Sequence, residues 1–313
     1  MTAATDITRR PVGVVGFGII GQRWAAAFIH AGLTVRAYDP DEGQWQRFAE
    51  VQPALLADLD ALHGPASRNG TMIFSTNMAE ALAGTGFIQE NGPERLELKQ
   101  ELLREIERHV ADDCIIASSS SALSVSEMQS RCVRPERVVL GHPFNPAHLM
   151  PLVEIVGGAK TQAQTVAVAR AFYDSIGKKP VVLNREITGH LALRLMGAMW
   201  REAIALARDG VASIADIDRA FMYGPGPKWT LQGSFISNHL NAEGIEAFFR
   251  KYGGTYQDIW DDLGVANLND ETAAAVAASM QSAVKGRSHA QLRAERDEGL
   301  IDILKALNRH GAL

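Results

Sequence analysis

A strand that runs directly into a glycine-rich turn and then a helix constrains this chain more than any other feature of its sequence. Val12-Gly13-Val14-Val15 reads as a buried strand, Gly16-Phe17-Gly18-Ile19-Ile20-Gly21 as the turn, and Trp24, Ala25, Phe28 and Ile29 as the apolar stripe of the helix. A second strand, Thr34-Val35-Arg36-Ala37-Tyr38, ends in Asp39. Short β-rich segments continue the alternation at Met72-Ile73-Phe74, Gly86-Phe87-Ile88-Gln89, Cys114-Ile115-Ile116, Arg137-Val138-Val139-Leu140, Leu152-Val153-Glu154-Ile155-Val156 and Pro180-Val181-Val182-Leu183. Helical patterns lie between many of them, as over 95–109 and 161–176, and the sum is an α/β doubly wound sheet of Rossmann type.

The glycines have separate tasks in a dinucleotide site. Gly16 permits the tight turn, Gly18 lets a pyrophosphate approach the backbone, and Gly21 lets the helix pack closely on the strand. The first helical N–H groups, around Ile19 and Ile20, lack partners within the helix and face the anion with the positive end of the helix dipole. Asp39 stands where a carboxylate accepts hydrogen bonds from the adenosine ribose. With Asp39 and Asp41 there and no arginine directly after the strand, a 2′-phosphate would meet negative charge, so the cofactor is NAD and not NADP.

At 313 residues the chain exceeds the size at which one core usually keeps growing, which predicts two domains. The character changes at Ile187: from there to Leu313 nearly every segment has helical periodicity, broken most sharply at Gly224-Pro225-Gly226-Pro227. The expected organisation is a NAD-binding domain over 1–186 and an all-α domain over 187–313. A net charge of −5 without a long basic cluster disfavours nucleic acid and anionic membranes as partners. Met1 to Arg10 has no apolar stretch of a leader, and only Cys114 and Cys132 occur. These features predict a reduced, cytoplasmic protein with no disulfide framework and no metal cluster.

One run carries the chemistry. Ala117-Ser118-Ser119-Ser120-Ser121 ends one strand, Gly141-His142-Pro143-Phe144-Asn145-Pro146 ends a second, and Pro151-Leu152-Val153-Glu154 opens a third. Ligands of open α/β sheets bind beyond the carboxyl ends of strands. A histidine there, with a glutamate twelve residues later, has the layout of an oriented general base. Pro143 and Pro146 restrict the backbone around Asn145 and make the loop a rigid mount.

The glycine loop, Ser121, the Gly141-to-Pro146 segment, Leu152-Val153-Glu154 and the helical C-terminal half resemble the L-3-hydroxyacyl-CoA dehydrogenase family over essentially the whole chain. Tyr223-Gly224-Pro225-Gly226-Pro227-Lys228-Trp229 and His239-Leu240-Asn241-Ala242-Glu243-Gly244 look most like the branch of that family containing L-gulonate 3-dehydrogenase (lambda-crystallin) and L-carnitine dehydrogenase. The resemblance implies that His142 takes the 3-hydroxyl proton, that Glu154 orients the imidazole, and that Ser121 hydrogen-bonds the reacting oxygen. It sets Glu94 and Lys99 beside the nicotinamide half of the cofactor, adds Asn145 to the substrate contacts, and implies a homodimer formed through the helical domain.

Three departures qualify it. Leu193 stands where the family has an asparagine for the substrate, and a leucine offers no hydrogen bond. This opens two alternatives, a different 3-hydroxy acid or a bulky apolar ketone or amine. The segment Pro40 to Gly70 has no lysine and carries Asp41, Glu42, Glu50, Asp58 and Asp60 against Arg47 and Arg68, an acidic face that would repel a CoA phosphate. Lys228 replaces an arginine suited to a substrate carboxylate, keeping the charge without the bidentate fork. The expected activity is NAD-dependent oxidation of a small free L-3-hydroxy acid such as gulonate, carnitine or 3-hydroxybutyrate. The alternatives are a CoA-linked dehydrogenase and a non-catalytic NADH-binding protein like lambda-crystallin.

Overall fold

The computed structural model describes residues 9–66 and 70–311, so the reading of the first eight residues and of Arg68 lies outside the described residues. Eight strands form one sheet: β1 (Val12–Val15), β2 (Thr34–Tyr38), β3 (Thr71–Ser75), β4 (Phe87–Glu90), β5 (Ile115–Ser118), β6 (Val138–Pro143), β7 (Leu152–Gly157) and β8 (Lys179–Val182). Their order is β3-β2-β1-β4-β5-β6-β7-β8. The first six strands are parallel, whereas β7 is antiparallel to β6 and parallel to β8. The reversal at β7 brings the start of that strand to the same edge as the end of β6.

Successive residues of the central strands are buried on opposite faces, as a parallel sheet covered on both sides requires. Val12, Val14, Phe87, Ile115, Ala117, Val139, Val153 and Ile155 join one core with Trp24, Phe28, Phe48 and Phe172. Val15, Ile88, Ile116, Val138, Leu140 and Val156 join the other with Leu82, Leu103 and Ile106. The covering helices are α1 (Ile19–His30), α2 (Gly43–His63), α3 (Met78–Leu82), α4 (Leu96–Glu107), α5 (Val125–Met128) and α6 (Ala163–Ser175). In α4, Lys99, Gln100, Leu103 and Ile106 fall on one buried stripe at helical spacing.

From residue 192 onward the chain is helical: α7 (Ala192–Arg208), α8 (Ile214–Tyr223), α9 (Pro225–Leu240), α10 (Ile245–Asp262), α11 (Asp270–Val284) and α12 (His289–Arg309). Pro225 takes the first position of α9, where a missing N–H costs nothing, and the helix is interrupted at Gly233 (φ 71°). Helix α8 packs on α9 and α11, and α9 packs on α10. The chain divides into two compact units, one of Met1–Ala192 with Asp297–Asp302 and one of Leu193–Arg296 with Ile303–Leu313. Within the second unit large apolar side chains remain exposed, among them Leu195, Trp200, Phe235 and Trp260. No helix among the described residues is long and apolar enough to cross a membrane.

Candidate active site

The chemistry gathers where strands β4, β5 and β6 end and β7 begins. His142 lies inside β6, not in the loop after it, so its mount is the strand ladder and not the proline-flanked turn expected from sequence. The antiparallel register pairs His142 directly with Glu154, and side chains of directly paired residues share a face. His142 Nδ1 and Glu154 Oε2 are 2.9 Å apart. An ionised carboxylate only accepts, so Nδ1 carries the proton and Nε2 presents the lone pair. The other oxygen, Oε1, accepts from the N–H groups of Leu191 and Ala192, both at 2.8 Å, where α7 opens.

Glu154 is fully buried and His142 is 5% exposed. Burial pushes the Glu154 carboxyl upward, but the bond from His142 and the two backbone N–H groups outweigh it and hold the group below the usual carboxylate range. An imidazole held in this way has one defined tautomer and a fixed ring, and a proton accepted at Nε2 is stabilised by the adjacent charge.

Ser121 is exposed at the tip of the turn after β5, and that turn is braced by Glu94. Glu94 Oε1 accepts from Ser120 Oγ at 2.6 Å, Ser121 N at 2.9 Å and Ala122 N at 3.0 Å. Burial raises the Glu94 carboxyl while these donors, chiefly Ser120, lower it further, and the net shift is downward. The remaining serines satisfy neighbouring groups: Ser118 Oγ donates to Glu90 Oε2 at 2.6 Å and Ser119 Oγ to Asn91 Oδ1 at 2.7 Å.

Lys99, expected beside the cofactor, makes its hydrogen bonds within the protein. It is 1% exposed, and its Nζ lies 2.9 and 3.0 Å from the two oxygens of Glu90 and 3.0 Å from the Gly92 carbonyl. Glu90, at the end of β4, also accepts the Gly92 N–H and is fully buried. A buried carboxylate needs this many donors to offset its desolvation, which leaves the ammonium no proton for a ligand.

The glycine turn fits NAD. Gly16 sits at φ +82°, and a Cβ there would lie 2.8 Å from the Asn91 carbonyl. A Cβ on Gly21 would lie 2.1 Å from the Gly16 oxygen, while one on Gly18 would meet nothing within 4 Å, so the turn is closed toward the sheet and open toward a ligand. Asp39 accepts from Phe17 N at 2.7 Å and Asp41 N at 3.0 Å, keeping a second lone pair on each oxygen. When bound, NAD supplies the hydride acceptor.

Asn145 is exposed, and its Oδ1 accepts from the Arg23 guanidinium. Leu193 is half-buried in the first turn of α7, and Lys228 is exposed in the first turn of α9. The acidic segment is less of a free face than its composition implied. Asp58 lies 3.1 Å from His148 Nε2, Asp60 lies 3.2 Å from His30 Nε2, and Asp41 pairs with Arg47. Glu42 and Glu50 remain exposed.

Sequence reasoning missed Glu90, His190 and Lys178. Lys178 is buried, donates to the carbonyls of Ala147, His148 and Met150, and lies over the Trp24 ring. Burial without a carboxylate pushes its ammonium down to about 7. It gathers the loop that follows β6. His190 is described below.

Comparison with known proteins agrees with the fold. Residues 11–187 match the NAD binding domain of 3-hydroxyacyl-CoA dehydrogenase, and residues 189–267 match its C-terminal domain. The chain belongs to the 3-hydroxyacyl-CoA dehydrogenase family and is an NAD-dependent oxidoreductase. It is 39% identical to L-carnitine dehydrogenase of Bacillus cereus, over 96% of this chain and 93% of that protein. It is 36% identical to L-carnitine dehydrogenase of Streptomyces coelicolor, over 99% and 98% respectively. Among solved structures, 5-formyl-3-hydroxy-2-methylpyridine 4-carboxylic acid 5-dehydrogenase, an NAD+-dependent dismutase, superposes with a TM-score of 0.79 at 27% identity, covering 96% of this chain and 98% of that one.

Two substitutions test these assignments. Lys99→Met leaves Glu90 buried without its cation and is expected to cost about 3–5 kcal/mol, read as a lower urea midpoint. A lysine that instead contacts the cofactor would leave stability nearly unchanged and weaken NADH binding. Glu154→Gln is expected to lower turnover about 100-fold and to reduce stability at pH 7. Because the folded Glu154 value is depressed, its contribution is present above the unfolded value of about 4.3 and is lost as pH falls through the folded value. The stability gap between wild type and Glu154→Gln should close across that acid window, and a gap constant with pH would refute the charged dyad.

Proposed function

We propose that this protein oxidises the 3-hydroxyl of a small free L-3-hydroxy acid to the 3-keto acid with NAD, and that L-carnitine is the first substrate to test. The observation that carries the reading is the buried His142–Glu154 pair, which leaves Nε2 as the proton acceptor at the carboxyl end of β6, on the edge of the sheet where β1 runs into the glycine turn. His142 receives the hydroxyl proton as hydride leaves the same carbon, and returns it in reduction. Glu154 holds the ring and offsets the charge, and Ser121 hydrogen-bonds the reacting oxygen.

The relatives named L-carnitine dehydrogenase, 36–39% identical over nearly the full chain, support a free acid over a CoA thioester. So does helix α2, which contains no lysine to meet CoA phosphates. Lys228 is proposed as the anchor for the substrate carboxylate, and Leu193 as an apolar wall. Exposed Leu195, Met196, Met199 and Trp200 on α7 support a homodimer built on the helical unit, since an apolar stripe of this kind is usually covered. The two free thiols fit a cytoplasmic location.

NADH production followed by absorbance with L-carnitine, L-gulonate, L-3-hydroxybutyrate and its CoA thioester tests the reading. Turnover of a free acid is expected. His142→Ala should then abolish it by at least about 100-fold with NADH binding intact, and Lys228→Met should raise KM about tenfold or more with little change in kcat. Activity on the thioester alone would overturn the free-acid reading. Silence on every compound, with NADH still bound, would favour a protein that binds the cofactor without this chemistry.

A further inference from the structure

His190 links the two halves of the candidate site. It is 4% exposed and adopts φ +49°, directly after Gly189 at φ +76°. A left-handed backbone is unfavourable for a histidine, so the fold holds this residue there against its preference. The kink has a visible consequence, because the next two N–H groups, of Leu191 and Ala192, both end on Glu154 Oε1.

The ring makes the other connection. His190 Nε2 lies 3.1 Å from the Ser120 carbonyl oxygen, which can only accept, so Nε2 carries the proton and Nδ1 is a bare lone pair. Nδ1 is buried with no hydrogen-bond partner. The ring centroid is 5.1 Å from that of His142. Burial, and the nearness of His142, lower the His190 value. Ser120 belongs to the turn that Glu94 braces and that carries Ser121.

We infer that His190 is a positioning residue: its left-handed kink aims the Leu191 and Ala192 N–H groups at Glu154 while its ring ties that kink to the Ser120-Ser121 turn, so one side chain sets the base and the serine relative to each other. This rests on the reading of His142 as the base. The residue touches neither the reacting carbon nor a bound group in this account; it acts through Glu154 and Ser120.

The test compares full-length wild type with His190→Phe, which keeps a ring and removes the donor, and His190→Gln, whose amide N–H can stand in for Nε2–H. One arm is kinetic, on whichever substrate the wild type turns over. His190→Phe is expected to lose about 10- to 100-fold in kcat, with the acid limb of its pH profile displaced and NADH affinity within about twofold, and His190→Gln to recover much of the loss. The other arm needs no substrate: histidine-labelled protein is examined by NMR for the His142 Nδ1–H signal, assigned by its absence from His142→Ala. That signal should shift or broaden in His190→Phe and return in His190→Gln.

Wild-type kcat, pH profile and Nδ1–H signal in His190→Phe would overturn the proposal. So would an equal loss in both variants accompanied by lower melting temperature and weaker NADH binding, since that is a packing role only. If wild type turns over none of the compounds, the reading of the reaction fails, and the NMR arm still decides whether His190 sets the dyad.

Discussion

The removal of the Glu154 carboxylate from water is the interaction on which the site depends. An ionised carboxyl in a protein interior is costly by several kcal/mol unless donors replace its hydration. Here the replacement comes from three directions: an imidazole on the neighbouring strand and two backbone N–H groups where α7 begins. Each donor satisfies the carboxylate and is itself fixed by doing so. The glutamate thus orders the histidine, the strand pair and the chain segment leaving the sheet, and its own charge is preserved by the groups it orders.

The same solution recurs at the adjacent strand ends. Glu90 closes β4 with Lys99, Ser118 and the Gly92 N–H about it. Glu94 gathers the N–H groups of Ser121 and Ala122 with the Ser120 hydroxyl. Three carboxylates, each accepting from main chain and side chain, turn otherwise loose strand-to-helix connections into a rigid rim. Such a rim suits hydride transfer, in which donor carbon, acceptor and base must be held together at short range. Lys178 does a similar task with its sign reversed, drawing three carbonyls of the loop after β6 around one ammonium.

The parts legible in the sequence were those set by local pattern. Gly16, Gly18, Gly21 and Asp39 declare themselves because strand, turn and helix are contiguous. His142 and Glu154 do so because a short antiparallel return leaves their spacing in the chain close to their pairing in the sheet. The partner of Lys99 was not legible because its neighbours in sequence do not reveal Glu90, nine residues earlier on another element. His190 and Lys178 gave no local sign at all. The carbonyl that meets His190 is seventy residues away, and a lysine bonded only to carbonyls leaves no complementary acid for a reader to find. A count of charges along α2 likewise does not tell which of them already face a histidine, as Asp58 and Asp60 do.

The direct pairing of His142 with Glu154 across β6 and β7 also governs how this gene can drift in length. Side chains alternate between the two sheet faces, so one residue inserted or deleted between Val138 and His142, or between Glu154 and Gly157, would turn one member of the pair into the opposite core. The same change between Phe144 and Pro151 would be taken up by the connecting loop with the strand register intact. Homologues that keep the pair should therefore vary in length across that loop and hold constant spacing from each of the two residues to the rest of its own strand.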